Sequence, residues 1–497
     1  MLNLISCIIE EMDKNKIGWQ FDNSYSRLSE NLKSKLQPVP VKAPKIVLFN
    51  QELSKELGLD FSSLDNNELA LLFSGNKLPE GSETIAQAYA GHQFGHFTIL
   101  GDGRALMIGE HINNNIRYDI QFKGSGKTPY SRNADGRAAL GPMLREYIIS
   151  ESMHHLGVPT TRSLAVVSTG EKVIRETNLD GAILTRVASS HIRVGTFQLA
   201  LITKNKNDLK TLFDYTINRH YPQLKNFKNP AVELLKVVME KQIDLICNWM
   251  RIGFVHGVMN TDNMTVSGET IDYGPCAFMD KYDPGTVFSS IDQFGRYAYF
   301  NQPSIAKWNL ERFAECLLPI IDENEKRAIK LATETIISFK EKYEKKWFQM
   351  MRNKLGIINE DENDKNLFIE LLTWMHENNV DYTNTFCHLM NELKHKDNVY
   401  EKDKFVAWKE KWEKRRMSKN NTPQNSLNLM RKSNPLVIPR NHLVELALKD
   451  ATDNNELKKI NDLLRIIKIQ NVKDPLLSNY QNVSSIGEKK YVTYCGT

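Results

Sequence analysis

The sequence predicts an α+β fold with two lobes, the first rich in strands and the second helical, and with an extension at each end. Stretches of strand length dominate up to about residue 200, and one helical segment interrupts them. From about residue 230 the apolar residues recur with helical spacing. We expect residues 1–80 to form an N-terminal extension, 81–200 the strand-rich lobe, 201–355 the helical lobe and 356–497 a helical C-terminal extension.

Two segments of the first lobe have the patterns of strands. Ala105–Ile108 is continuously apolar, and Tyr118–Lys123 alternates apolar with polar residues, which is the period of a half-buried strand. Before them, Leu36–Pro40 contains two prolines and predicts an extended link. The alternation places the side chain of Lys123 on the polar face of its strand.

Two further segments predict helices. Pro142–Leu156 has proline in its first turn, is followed by glycine, and carries Glu146 near its start. Leu234–Met250 is apolar at helical spacing, and Gly253 ends it. A strand lysine paired with a helix glutamate is the device with which kinases hold phosphates. Both residue types are also common at protein surfaces.

The segment His256–Gly274 contains side chains suited to a metal site. Asn263 and Asp272 offer the hard oxygen atoms that Mg²⁺ prefers. We expect Met264–Val266 and Thr270–Ile271 to form two strands joined by a glycine turn, which would return Asp272 to Asn263. The Asp-Tyr-Gly run that begins at Asp272 differs by one residue from the Asp-Phe-Gly motif of kinases. Loops of this composition are also ordinary turns.

Glycine loops and arginines indicate a phosphate-binding region. Paired glycines let backbone N–H groups approach phosphates, although a lone Gly-x-Gly is equally a plain turn. Arginine carries a permanent charge that suits phosphate, unless it pairs with surface carboxylates. The candidates are Gly101, Gly103, Arg104, Asp135, Gly136, Arg186 and Arg193.

The loop departs from the kinase pattern at the catalytic base. In kinases that aspartate lies five residues before the metal-binding asparagine, and Val258 occupies this position here. Because valine cannot accept a proton, the protein is either an inactive kinase or uses another carboxylate for different chemistry. Asp262 is the nearest candidate.

Longer motifs surround these residues. They are Tyr89–Gly95, Gly101–Arg104, Phe122–Gly124, Thr128–Arg132, Asp135–Arg137, His256–Met264, Ile271–Pro275, Asn434–Pro435 and Ile438–His442. With these motifs the chain resembles, from about Leu48 onward, the SelO (selenoprotein O, YdiU) family of kinase-like proteins. The resemblance implies a protein-kinase-like fold with a strand-rich N-lobe and a helical C-lobe. It also implies protein adenylyltransferase activity, in which AMP moves from ATP to hydroxyl side chains of target proteins and pyrophosphate is released.

The resemblance assigns the nucleotide-binding residues. ATP would lie reversed relative to its orientation in kinases, with the α-phosphate facing the acceptor. Lys123, Arg186 and Arg193 would hold the phosphates, and Glu146 would orient Lys123. The nucleotide site would also be lined by Gly101, Gly103, Arg104, Asp135 and Gly136. Since nothing in the sequence fixes the base, UMP transfer from UTP is a variant of the same expectation.

The resemblance also assigns the chemistry and the partners. Asp262 would accept the proton, and Asn263 and Asp272 would hold Mg²⁺ or Mn²⁺. The partners would be proteins with Ser, Thr or Tyr acceptors, including this chain itself.

The composition excludes several other classes of protein. The hydrophobic fraction of 41% is ordinary for a globular protein, and a net charge of +5 over 497 residues is too dilute to indicate nucleic acid binding. No apolar run approaches the length of a membrane span. Acidic residues in Met1–Gln20 argue against a signal peptide, so we expect a cytoplasmic protein.

The six cysteines are scattered without a Cys-x-x-Cys pair, so neither a zinc site nor a disulfide framework is expected. Cys247 lies on an apolar helix and is predicted to be a core residue. The family resemblance implies that Cys495, near the C-terminus, is redox-active. Thr286–Phe288 stand where its partner cysteine would be expected, which leaves Cys276 as a substitute.

Three functions therefore remain open. The first is AMP transfer to proteins. The second is phosphate transfer, which Val258 at the base position disfavours. The third is a catalytically silent nucleotide-binding scaffold. It is disfavoured because Lys123, Glu146, Asn263 and Asp272 are all present, and a scaffold has no chemical need for the complete set.

Overall fold

Nine strands in the first part of the chain form one antiparallel sheet in a computed structural model that describes residues 17–418 and 421–483. The strands are β1 (Lys33–Lys35), β2 (Lys45–Phe49), β3 (Ile85–Gln93), β4 (His96–Gly101), β5 (Ala105–Asn113), β6 (Ile116–Lys123), β7 (Ala138–Ala139), β8 (Arg162–Ile174) and β9 (Asn178–Ala188). The order is β1-β3-β5-β6-β9-β8-β2, with β4 paired to β3 and β7 to β9. The strands at the two ends of this order, β1 and β2, therefore both come from residues before 80.

Strands β5 and β6 confirm the two strand predictions. They pair with Ala105 opposite Lys123, so the end of β6 lies beside the glycine loop that precedes β5. The polar residues of β6 do not face solvent, however: Asp119, Gln121 and Lys123 are all buried. Other charged side chains pack against this face of the sheet and pair with them, which alternation alone could not indicate.

Helices cover both faces of the sheet. Helices α1 (Gln51–Glu56) and α2 (Asn66–Phe73) pack their leucines against one face, together with Val167 of β8. Helix α3 (Leu140–His155) packs on the other face, where Val166 of β8 joins the main core. Because neighbouring residues of β8 enter opposite cores, the strand is buried on both sides. Helix α3 confirms the predicted helix that carries Glu146.

Thirteen helices follow in the described part of the chain. They are α4 (Val194–Ile202), α5 (Asn207–His220), α6 (Pro230–Ile252), α7 (Gln302–Ile321), α8 (Glu325–Ile337), α9 (Phe339–Lys354), α10 (Asp364–Glu377), α11 (Tyr382–Leu389), α12 (Asp403–Arg416), α13 (Pro423–Ser433), α14 (Asn441–Asp453), α15 (Lys458–Ile469) and α16 (Leu477–Gln481). Helix α6 includes the predicted Leu234–Met250 and ends at Gly253, whose φ of +72° suits glycine. Cys247 of α6 is buried, as predicted. In the described residues no helix has both the length and the apolar character needed to cross a bilayer.

A short antiparallel pair follows α6 and frames the predicted metal loop. Strand β10 (Phe254–Val255) pairs with β11 (Ala277–Phe278), and the intervening residues form the loop. A 3₁₀ turn, Thr261–Asn263, lies within it. The pairing brings the two ends of the loop together below the sheet. Within the loop, Thr261 contacts the end of β3 and Asp272 contacts the end of β6.

Candidate functional site

A cleft of about 400 Å³ lies between the sheet and the loop framed by β10 and β11. This volume is within the usual range for a small-molecule site. Of the predicted site residues, those that line the cleft are Gly101, Gly103, Arg104, Lys123, Asp135, Gly136, Arg186, Arg193, Asp262, Asn263 and Asp272. Glu146 lies behind this lining, buried against Lys123.

The lysine and glutamate form the predicted pair. Lys123 Nζ, at the end of β6, donates a 2.6 Å hydrogen bond to Glu146 Oε2 on α3. The other carboxylate oxygen of Glu146 accepts from Arg186 Nη2 at 2.5 Å and from Arg186 Nε at 2.9 Å. Glu146 therefore orients two cations, of which the sequence predicted one.

Asp272 is where three cations converge. Its Oδ1 accepts from Arg186 Nη2 at 2.6 Å and from Lys123 Nζ at 3.0 Å, and its Oδ2 accepts from Arg193 Nη1 at 3.3 Å. Burial acts to raise the pKa of Asp272, but Arg186, Lys123 and Arg193 together hold it well below its ordinary value. Its φ of +61° is a left-handed conformation that aspartate adopts at a modest cost. The carboxylate is therefore ionised and directed into the cleft.

Asp262 has the opposite environment. It lies in the 3₁₀ turn, is 6% exposed, and its Oδ1 has no hydrogen-bond partner. Burial raises the pKa of Asp262 to about 6, against the opposing effect of Arg193. A carboxylate of this kind can both accept and release a proton near neutral pH.

The close approach of β3 fixes the position of Asp262. A Cβ atom added to Gly91 of β3 would overlap the Asp262 carboxylate, so glycine is required there for space. The neighbouring Thr261 Oγ1 accepts from the backbone N–H of His92 at 2.8 Å. Gly91 belongs to the Tyr89–Gly95 motif, but its role against Asp262 could not be predicted without the fold.

The oxygen atoms around Asn263 are suited to a divalent cation. The side-chain nitrogen of Asn263 donates to the carbonyl of Val258 at 2.9 Å, which leaves its amide oxygen available as a ligand. With the carboxylate of Asp272, which also lines the cleft, the donors are hard oxygens, as Mg²⁺ and Mn²⁺ require. In the described residues, no group of three or more His, Cys, Asp or Glu side chains is arranged so that it could hold a metal ion by itself. Phosphates and water would therefore complete the coordination.

The predicted hairpin between Asn263 and Asp272 is wrong. Residues 264–266 bond to the backbone at the start of α4, where Val194 N donates to Met264 O at 2.9 Å. Thr270 instead bonds to the backbone before β8, to Pro159 at 3.0 Å. Each half of the segment has a partner elsewhere, so the two do not form a ladder with each other. The turn between them is held by the hydroxyl of Thr265, which donates to Glu269 O at 2.7 Å.

The glycines at 101 and 103 are required for space, whereas their role in admitting backbone N–H groups to phosphates stays a prediction. Cβ atoms on Gly101 and Gly103 would collide with the ring and the backbone of Tyr130, respectively. The two glycines therefore allow Tyr130 to pack over the loop. Asp135, at the far side of the cleft, pairs with Arg175 Nη1 at 2.9 Å.

The cleft is also lined by residues that were not among the predicted site residues, including Tyr89, Asp102 and Arg175. The ring of Tyr89 lies 4.4 Å from the guanidinium of Arg193, and Asp102 is buried 3.8 Å from the same group. Both belong to motifs on which the family resemblance rests, and these motifs were the available signal in the sequence. Arg175 follows the end of β8, and no local pattern distinguishes it from a surface arginine.

A comparison with known protein families gives this site its context. The sequence profile described as "Protein adenylyltransferase SelO" matches residues 16–468. The chain belongs to the SelO family. Curated relatives include proteins named protein nucleotidyltransferase YdiU. That of Pelagibacter ubique (strain HTCC1062) is 58% identical over 97% of this chain and 100% of the relative. Those of Nitrosococcus oceani and Bacillus cytotoxicus are each 54% identical, over 98% and 97% of this chain and 99% of each relative.

The SelO match includes every cleft residue described above, since it extends from residue 16 to residue 468. The predicted redox residue Cys495 lies beyond the match and outside the described residues. Its suggested partner Cys276 is completely buried two residues after Gly274, beneath the cleft. The idea of a disulfide between them stays a prediction.

Proposed function

We propose that this protein transfers AMP from ATP to hydroxyl side chains of target proteins and releases pyrophosphate. The observation that carries the proposal is the pairing of an ionised Asp272, surrounded by Lys123, Arg186 and Arg193, with a buried Asp262 that has a free oxygen atom. The SelO family description and the names of the YdiU relatives support the same class of reaction.

The residues of the cleft would have separate roles in this reaction. The Asp262 carboxylate accepts the proton of the acceptor hydroxyl while the hydroxyl oxygen forms a bond to the α-phosphorus and the bond to pyrophosphate breaks. Lys123, Arg186 and Arg193 offset the negative charge that develops on the phosphate oxygens. Glu146 keeps two of these cations in place.

Asn263 and Asp272 would hold Mg²⁺ or Mn²⁺. When bound, such an ion supplies charge neutralisation of the phosphates. The Tyr130 ring and the Asp135–Arg137 loop bound the far side of the cleft, where the nucleoside would lie. We include UTP as an alternative donor, since no residue of the cleft has been assigned to the base.

We also propose that the architecture is that of a protein kinase. Residues 81–200 would be the N-lobe and 201–355 the C-lobe, with 1–80 and 356–497 as extensions. The antiparallel sheet, the Lys123–Glu146 pair between β6 and α3, and the position of Asp272 after β10 support this proposal.

The function is tested by incubating the protein and candidate protein acceptors with Mg²⁺ or Mn²⁺ and ATP labelled at the α- or the γ-phosphate. Protein-bound α label alone supports the proposal. Bound γ label would instead indicate a kinase, and no bound label would indicate a silent scaffold. Lys123→Met should abolish labelling, whereas Lys127→Met, an exposed neighbour, should not.

The two aspartates should differ in the same assay. General-base assistance contributes roughly 100- to 10,000-fold, so Asp262→Ala should leave trace activity. Asp272→Ala should leave less, because it removes a metal ligand and the partner of three cations. Equal losses, or the reverse order, would contradict these roles.

A further inference from the structure

Beside the cleft, the guanidinium groups of two arginines pack on the same indole ring. The guanidinium carbons of Arg296 and Arg312 each lie 4.9 Å from the centre of the Trp308 ring. The ring of His92 meets Trp308 edge-on at 5.2 Å and also lies 5.2 Å from the ring of Phe97. We call these five residues the Trp308 surface.

The Trp308 surface carries a positive charge that is only partly offset. Arg312 pairs with Glu315 at 2.5 Å, whereas none of the carboxylates in the described residues lies within 4 Å of the guanidinium of Arg296. The Nε atoms of both arginines are buried and lack a hydrogen-bond partner. Because two like charges on one ring repel each other, a carboxylate placed beside them would be stabilised.

Exposed apolar side chains border this charge. Phe294, two residues before Arg296, is 96% exposed, and Phe97 is 44% exposed. The turn that presents Phe294 is well defined, since the Asp292 carboxylate accepts from the backbone N–H groups of Arg296 and Tyr297 at 2.9 and 2.8 Å. An exposed phenylalanine beside a charged surface can provide an apolar contact to a bound chain.

The surface adjoins the Asp262 end of the cleft. Asn260, two residues before Asp262, lines the cleft and accepts from the hydroxyl of Tyr297 at 2.6 Å. The same oxygen accepts from the backbone N–H of Phe94, in the turn between β3 and β4, at 3.1 Å. A chain that brings a hydroxyl to Asp262 would therefore pass close to Arg296.

We propose that the Trp308 surface and Phe294 together bind the acceptor segment of the target protein. The segment would carry an acidic side chain, which lies against Arg296, and an apolar side chain, which packs on Phe294. The proposal rests on the proposed AMP transfer and adds the chemistry of the sequence around the acceptor.

The test uses the full chain, ATP labelled at the α-phosphate, and pools of short peptides with a central Ser, Thr or Tyr. Each pool fixes one residue at one flanking position. At one flanking position, pools with a fixed Asp or Glu should be labelled about tenfold more than the pool with alanine there. At a second position, pools with a fixed Leu or Phe should show the same preference over alanine. A tenfold difference is equivalent to about 1.4 kcal/mol.

Two variants test whether the Trp308 surface and Phe294 cause these preferences. Arg296→Glu should replace the preference for acidic residues by one for Lys or Arg, and Phe294→Asp should remove the apolar preference. Neither residue lines the cleft, so the KM for ATP should stay unchanged. Ile337→Asp, at another exposed apolar residue on α8, is the matched control and should keep both preferences.

Other outcomes would overturn the proposal. Labelling without positional preference, or an acidic preference that survives Arg296→Glu, would refute the docking role while leaving AMP transfer intact. If Phe294→Asp instead converts a dimer to a monomer in sedimentation, the surface binds a second copy of the chain and the proposal fails. Absence of α label from every pool and every protein acceptor would refute the proposed function itself.

Discussion

At the scale of single residues, the two aspartates of the cleft are differentiated by their surroundings. Asp272 is paired with three cations and its pKa is held well below the ordinary value, whereas burial raises the pKa of Asp262 to about 6. Two carboxylates whose pKa values are separated in this way can take different roles in one reaction. The roles proposed above, Asp262 as base and Asp272 as metal ligand, are consistent with this difference.

The environment of Asp262 predicts the pH dependence of the reaction. A general base acts in its deprotonated form, so kcat/KM should rise as the pH increases through about 6 and level off above it. The measurement is the rate of α-label transfer between pH 5 and 8. Asp262→Asn should lower the rate and remove this rise. A rise that persists in the variant would assign the titration to another group.

Gly91 provides a second test of Asp262. A Cβ atom there would overlap the carboxylate, so Gly91→Ala should displace the base and lower kcat at least tenfold. ATP binding should change little, because the phosphate-binding cations are unaffected. Gly141→Ala, where an added Cβ meets only an ordinary contact at 3.8 Å, is the control. An unchanged kcat would show that the loop can move away without cost.

At the scale of elements, the C-terminal part of the chain supports the loop that holds Asp272. Asn441, at the start of α14, accepts from the backbone N–H of Phe278 at 3.1 Å and donates to its carbonyl at 2.9 Å. It thereby continues the hydrogen bonding of the β10–β11 pair. The buried Arg440 adds ion pairs to the half-buried Asp280 at 2.5 Å and to the buried Asp381 at 2.7 Å.

Removing this support should destabilise the protein. Asn441→Leu leaves two buried backbone groups of Phe278 without partners, at a cost of about 1–3 kcal/mol each. The urea midpoint should fall, and Asn461→Leu, at an exposed asparagine of α15, should leave it nearly unchanged. If both variants have the same midpoint as the parent, the contacts of Asn441 contribute nothing to stability.

At the scale of the whole molecule, Lys354 is an unusual component of the core. It is 1% exposed, its Nζ donates to the carbonyl of Arg251 at 2.8 Å, and it lies 3.7 Å above the ring of Phe386. No carboxylate in the described residues lies within ion-pair distance of it. Burial lowers the pKa of Lys354 well below its ordinary value.

Replacing this lysine should stabilise the fold. Because the unfolded chain binds the proton more readily, the parent protein gains stability as pH rises from the lowered pKa toward about 10.4, the ordinary lysine value. Lys354→Met should therefore raise the urea midpoint at pH 7, and the difference should shrink toward pH 10. Lys345→Met, at an exposed lysine of α9, is the control. A destabilised Lys354→Met would indicate that the lysine is favourable where it lies.

The sequence predicted local elements well where a single pattern decided them. Strands β5 and β6 and helices α3 and α6 were all predicted, because apolar periodicity and stop residues act within one segment. The hairpin after Asn263 was predicted wrongly, since Met264 bonds to the start of α4 and Thr270 bonds to the backbone before β8. Hydrogen bonds between segments far apart in sequence leave no local signal.

The sequence by itself determined the chemistry that is available: a strand lysine, a helix glutamate, an asparagine and an aspartate in a kinase-like order, with Val258 at the place of the kinase base. Tertiary structure decided what these groups do to one another. Only the packing of β3 against the loop shows that Asp262 is buried beside Gly91, and only the convergence of β6, β9 and α3 shows that Glu146 serves two cations. The pKa values of carboxylates depend on neighbours and burial, and both are set by contacts between remote segments.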